Sequence, residues 1–328
     1  MAYALCLAIS VTKQGGIGPI TLLGYGVNLL AVPLLALARH WEIAAFLMIA
    51  ERIGKAIRTP ARDVMLSHAT QSVGRGWGFG LHEAMDQIGA ILGPLIVTAV
   101  LYFGGGYRTS FAILLVPAIL ALSVLVVARL LYPHPRRFET APARPQTKGF
   151  PRVFWLYLVA VSLIAAGYAD FALIGYHFEK ASIASPDLIP ILYAVAMGVD
   201  ALAALIIGRL FDRIGISVLI PVAIVSSFFA PLAFLGGLNL AFLGMALWGV
   251  GMGAQESVMR AAIAEMIPMD RRGSAYGIFN AGYGIFWFLG SALMGILYDI
   301  SIPSLVMFSV LAQLASIPLL LSVRKEAK

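Results

Sequence analysis

Apolar stretches follow one another along almost the whole chain, separated by short connections that hold most of the charge. A helix needs about 20 apolar residues to cross the hydrocarbon core of a bilayer. In lipid a backbone must satisfy its own hydrogen bonds, so this pattern points to an all-α polytopic membrane protein. The spans are expected at roughly 19–38, 41–61, 76–103, 109–132, 152–177, 187–209, 216–236, 240–262, 274–298 and 303–323, about ten in all. Only 12% of the 328 residues are charged, against about 25% in a soluble domain. That is too little polar surface to face water on all sides, which excludes a soluble enzyme, a disordered chain and a disulfide scaffold as readings of the whole chain. Cys6 is the single cysteine and has no partner for an intrachain disulfide. Residues 1–11 are apolar but too short to span, and they lack the basic segment of a signal peptide. They read as the tail of an earlier helix.

The net charge of +7 is a topological signal here rather than a nucleic-acid footprint. One set of alternate connections holds Lys13, Arg62, Arg75, the arginines of 129–152, Arg209, Arg213, Arg260, Arg271, Arg272, Arg324, Lys325 and Lys328. The other holds only Arg39, Arg108 and Lys180. The positive-inside rule places the first set in the cytoplasm, with the C-terminus, in a multi-pass protein of the cell membrane. The Pro- and Arg-rich segment 133–151 lacks apolar periodicity and is expected to be a cytoplasmic linker between an N-terminal bundle (1–132) and a C-terminal bundle (152–328).

The two parts are related. When Arg75 is set over Arg272, an offset of 197, then Arg75, Gly76, Gly80, Ala84, Ile88, Leu92 and Gly93 all recur in the second part. A repeat of this size is the mark of a transporter built from parallel halves. The same offset places the counterpart of the helix at 152 about 45 residues before Met1. The expectation is a chain that lacks a first helix and part of a second.

Two motifs carry a resemblance. Gly208-Arg209-Leu210-Phe211-Asp212-Arg213-Ile214-Gly215 sits between two spans of the second half. Its glycines permit a tight turn, and Asp212 is placed to accept from backbone or arginine donors. Its first-half counterpart, Val11 to Gly18, keeps only Ile17 and Gly18 of the pattern. In the span 76–103, Gly80, Gly89, Gly93 and Pro94 follow a spacing of small residues that lets helices approach closely, with a proline that can bend the helix. The first motif resembles the cytoplasmic loop motif of the major facilitator superfamily (MFS), and the second resembles that family's antiporter and exporter motif. The family's two further glycines are here Val97 and Thr98. The resemblance implies an MFS-type fold of two pseudo-symmetric six-helix bundles, the N-terminal one incomplete. It also implies that the helix at 41–61 is the fourth and that the first, fourth, seventh and tenth helices line a central cavity.

Ionisable side chains inside spans are costly and are functional candidates. Glu51, Lys55, Arg58 and Arg62 share one helical face, with Arg52 beside Glu51. The next span carries His82, Glu83 and Asp86, and salt bridges between the two helices are expected. Glu51, Arg52 and Arg58 are read either as cavity-lining or as part of a structural ion network. In the second half Asp170 lies near mid-membrane, where a carboxylate is placed to take up and release a proton. Glu256 shares a face with Arg260, and Asn280, Tyr283 and Trp287 form another face. No metal-ligand cluster, nucleotide loop or hydrolytic triad is present in the sequence. Neither cofactor nor enzymatic activity is therefore expected, and ATP-driven transport is excluded for this chain alone. The expected function is secondary active transport of a small solute by alternating access, with proton-coupled efflux as the leading mode. Uptake of an organic anion, and a truncated non-transporting remnant, are the alternatives.

Overall fold

The computed structural model describes residues 17–131, 149–185 and 188–326. Segment 1–11, residues 11–16 of the first-half loop and most of the linker 133–151 lie outside the described residues. Every described element is helical. The first part holds α1 (Ile17–Leu34), α2 (Trp41–Ala69), α3 (Arg75–Tyr102), α4 (Tyr107–Ile113) and α5 (Leu115–Leu131). There follow α6 (Arg152–Ala166), α7 (Phe171–Lys180), α8 (Ile189–Ile214), α9 (Leu219–Ser227) and α10 (Phe229–Leu235). The last are α11 (Leu238–Gly253), a π-helical turn (Ala254–Val258), α12 (Met259–Met266), α13 (Arg272–Ile300) and α14 (Ile302–Glu326). Both Arg-Gly dipeptides of the repeat open a long helix, α3 and α13.

Six stretches among the described residues are long and apolar enough to cross a membrane: Tyr107–Val127, Arg152–Lys180, Ile189–Leu235, Leu238–Met266, Met269–Ile300 and Ile302–Glu326. At 47 residues, Ile189–Leu235 is about twice the length of one crossing, and Gly215 interrupts it at φ +63°. Helix α2 is 29 residues long, but Arg58, Arg62 and Asp63 are among its charged, buried residues.

The chain falls into two compact units. One gathers the described residues of Met1–His68, Gly89–Thr147 and Met269–Gly277; the other gathers Ala69–Ile88, Lys148–Pro268 and Ile278–Lys328. Helix α3 therefore gives its first half to the second unit and its remainder to the first. In the first unit α1 packs on α4 and α5. It crosses α2 where a Cβ on Gly54 would stand 2.7 Å from the backbone nitrogen of Asn28.

In the second unit α8 is gripped from two sides. Lipid tails are as apolar as leucine, so helices in a bilayer associate by close packing rather than by the hydrophobic effect, and small residues permit that approach. Toward α3, a side chain on Gly76 would collide with the carbonyl of Gly208, and one on Gly80 with the carbonyl of Ala204. Toward α11, Gly249 lies against the Ala196 carbonyl, and a Cβ on Gly253 would stand 2.6 Å from the Asp200 carbonyl. Leu202 and Ile206, on the opposite face of α8, are exposed.

The Arg75 end of α3 is held by the loop motif. The Asp212 carboxylate accepts from the backbone N–H groups of Gly76 (2.7 Å) and Trp77 (2.8 Å). The first N–H groups of a helix have no partner inside it, and its positive dipole end favours an anion there. Gly74 turns the chain into the helix at φ +102°, so close to Asp212 that any side chain would strike the carboxylate. The Arg209 guanidinium lies 4.1 Å from the centroid of the Trp77 ring.

Replacing Gly80 with valine should cost about 1–3 kcal/mol through overpacking, read as a lower unfolding midpoint and a smaller monodisperse fraction. Gly198→Ala on the same helix α8, where a Cβ meets nothing within 4 Å, should behave as wild type. Asp212→Ala should cost about 0.5–2 kcal/mol, the usual effect of losing a helix N-terminal cap.

Candidate functional site

The second unit buries a polar cluster that neither helix packing nor capping explains. Helices α3 and α8, drawn together by their glycines, enclose Glu83, Gln87 and Asp200, with Glu83 at 1% and Asp200 at 0% exposure. The Gln87 side-chain nitrogen donates to Glu83 Oε1 (2.7 Å) and to Asp200 Oδ2 (3.0 Å). Both of its hydrogens are then used. Asp200 Oδ1 and Gln87 Oε1 remain enclosed with no hydrogen-bond partner. Glu256, on the π-helical turn, and Arg260 are both close enough to act on the Glu83 carboxyl electrostatically. The cluster is rich in acceptors and short of donors.

Two interruptions of helix stand beside it. The expected span 152–177 is broken between α6 and α7, at Gly167–Asp170. The carbonyls released by the break are taken up by side chains. Ser309 Oγ (2.6 Å) and Gln313 Nε2 (3.3 Å) donate to the Gly167 carbonyl, and Trp248 Nε1 (3.0 Å) donates to that of Ala169. The Tyr168 hydroxyl donates to the Trp248 carbonyl and lies against Gly251. Asp170 is the N-cap residue of α7 and is exposed. The second interruption is the π-helical turn Ala254–Val258, whose Gln255 accepts from the Tyr283 hydroxyl at 2.9 Å. π-Turns inside α-helices occur often at functional sites, and broken helices form the binding regions of many transporters.

The charges of α2 lie in the first unit. Glu51 is half-buried; it pairs with Arg52 Nε (3.3 Å) and accepts from Asn28 Nδ2 (2.7 Å). The Arg52 side chain is 76% exposed. Arg62 and Asp63 form a buried pair (2.9 Å). Arg58 is buried, with its guanidinium 4.5 Å from the centroid of the Tyr25 ring.

Glu83 and Glu256 are thus brought together, whereas Asp86 and Arg213 are exposed and His82 is half-buried. Gly215 ends α8. The close approach expected along α3 is found at Gly80 but not at Gly89 or Gly93, where among the described residues a Cβ would meet nothing within 4 Å. Pro94 lies within helix α3. The sequence reading did not single out Gln87, Gln313 or Ser309, because an uncharged polar residue in an apolar run carries no signal by itself. The four-residue step from Glu83 to Gln87 was the available clue.

Comparison with known proteins agrees with this architecture. The sequence profile described as Major Facilitator Superfamily matches residues 16–235 and 154–328. An uncharacterized protein of Mycobacterium tuberculosis is 37% identical over 311 residues, which cover 93% of this chain and 76% of the relative. An uncharacterized MFS-type transporter of Methanocaldococcus jannaschii is 27% identical over 294 residues, covering 85% and 71%. Among solved structures, the outward conformation of the transporter FucP superposes with a TM-score of 0.71 at 12% identity, over 99% of this chain and 86% of that one. The human organic anion transporter MFSD10 gives 0.72 at 13%, over 99% and 80%. The chain belongs to the Major Facilitator Superfamily, as a multi-pass membrane protein that carries out secondary active transport by alternating access and not catalysis.

Proposed function

We propose that the chain couples proton movement to the export of a small solute, and that the Glu83–Gln87–Asp200–Glu256 cluster carries the proton. The cluster is the observation on which this reading rests. Ionised carboxylates that share one enclosed space repel one another and forgo their hydration. A proton relieves both costs and needs no cavity, only an oxygen without a partner, and Asp200 Oδ1 is one. A bound metal ion fits less well, because among the described residues no group of three or more His, Cys, Asp or Glu side chains is placed to hold one. Asp170, exposed at the helix break, is a second proton carrier in this reading. Asp86 and His82 are the route by which protons reach Glu83 along α3. The Gly80-to-Pro94 motif supports export over uptake.

In the full reading, bundles 1–132 and 152–328 are pseudo-symmetric halves of about ten spans, joined by a cytoplasmic linker, with the C-terminus in the cytoplasm of the cell membrane. Asp212 then works as a latch. Its two hydrogen bonds to the start of α3 hold one state of the transport cycle and must break in the other.

In proteoliposomes with an imposed pH gradient, Asp200→Asn and Glu83→Gln should abolish gradient-driven solute movement. Both variants should retain downhill exchange of the same solute. If both respond fully to the gradient, the cluster is not the coupling site. In the same assay, loss of the gradient response in Asp170→Asn alone would transfer the role to the helix break. Asp212→Asn should keep binding and slow turnover, because the amide accepts from only one backbone N–H.

A further inference from the structure

We infer that Arg58 recognises an anionic group on the transported solute: a carboxylate, a sulfonate or a phosphate. The inference rests on the transport reading above and adds the substrate class to it.

On α2, Arg52 is paired with Glu51, and Arg62 with Asp63. Glu51 is further committed to Asn28. Lys55 and Arg58 are left, and among the described residues neither has a carboxylate partner. Lys55 is half-buried and can reach water. Arg58 is held at 8% exposure. Its stem is fixed where α1 crosses α2, since a Cβ on Gly24 would lie 3.0 Å from Arg58 Cβ. Its guanidinium stacks on Tyr25. Stacking on a tyrosine returns only part of what a guanidinium loses when it leaves water.

The geometry is that of a receptor rather than of a structural ion. Arg58 Nε is fully enclosed without a partner. The planar fork is thus immobilised at its base and holds an unpaired donor in an enclosed place. A guanidinium in that posture matches two oxygens of one oxyanion, with Tyr25 setting the plane. Lys55, one turn earlier on the same face, adds attraction without geometric demand. Asn28 and Glu51 are occupied with each other, so the recognition falls to Arg58.

The test is binding at equilibrium, on the purified full chain in lipid nanodiscs, with no gradient. The probes are benzoate, benzenesulfonate and phenyl phosphate, each against an uncharged counterpart such as benzamide or benzenesulfonamide. At least one anion should raise the unfolding midpoint saturably, and its uncharged counterpart should not. Arg58→Gln should raise the apparent Kd about tenfold or more, as expected for the loss of a charge-assisted hydrogen-bonded pair. Arg58→Lys should weaken binding too, because the charge stays and the fork is lost. This second variant carries the test if the glutamine variant does not fold. Arg52→Gln should match wild type. The proposal is overturned if Arg58→Gln or Arg58→Lys binds the anion as wild type does, if the uncharged counterparts stabilise equally, or if no anion stabilises the wild type. Anion binding without any transport in vesicles would remove the transport reading and leave the site. Gradient-driven transport of uncharged solutes alone would remove the site and leave the transport reading.

Discussion

The near-contact of backbones around α8 is the constraint on which the second unit depends. In a bilayer two helices gain nothing by hiding apolar surface from lipid, so they must gain it from dispersion at short range and from polar contacts. Gly76, Gly80 and Gly208 give that approach on one side of α8, and Gly249 and Gly253 on the other. The consequence is chemical. Asp200 stands on the stretch of α8 gripped from both sides, so its carboxylate is enclosed and finds its partners within the protein. Gln87 is the partner that α3 supplies. With bulkier residues at the crossing, the helices would separate and Asp200 would become an ordinary hydrated acid.

The same unit shows how interrupted helices are tolerated at membrane depth. Breaking a span at Gly167–Asp170 frees carbonyls that lipid cannot satisfy. Ser309, Gln313 and Trp248 reach in from α14 and α11 to take them. The break is therefore supported on two sides and has a defined shape. That support explains why Ser309 and Gln313 are fully buried although both are polar. It also holds Asp170 at a fixed place, as the N-cap residue of the resumed helix.

Much of this was legible in the sequence. The apolar runs located the helices because span length is set by bilayer thickness, a constraint that admits little variation. The Arg-Gly dipeptides located the starts of α3 and α13. Asp212 was legible as an acceptor because its motif places an acid among turn glycines, although the donors, two backbone N–H groups 135 and 136 positions away in sequence, were not. Gly89 and Gly93 were read as packing positions because spacing reports which residues share a face and not which neighbour that face meets. The break after Gly167 was not legible either. No proline marks it, and the side chains that stabilise it come from helices far away in sequence.

Beyond the buried Arg62–Asp63 pair, the two units bury charges of opposite sign, and the difference bears on what each unit can do. The second unit encloses carboxyl groups crowded against one another; the first encloses a guanidinium with no carboxylate partner among the described residues. Each arrangement is unfavourable in isolation, and each is relieved by a different visitor. Surplus negative charge in a closed space is relieved by the smallest cation, which can enter without a cavity. A surplus guanidinium is relieved only by an anion large enough to need a path of its own. A chain that merely had to stand in a membrane would gain stability by replacing either feature with well-packed apolar side chains. Keeping both imposes a folding cost in every molecule, and the proposed loading and emptying of each place would give that cost a physical reason.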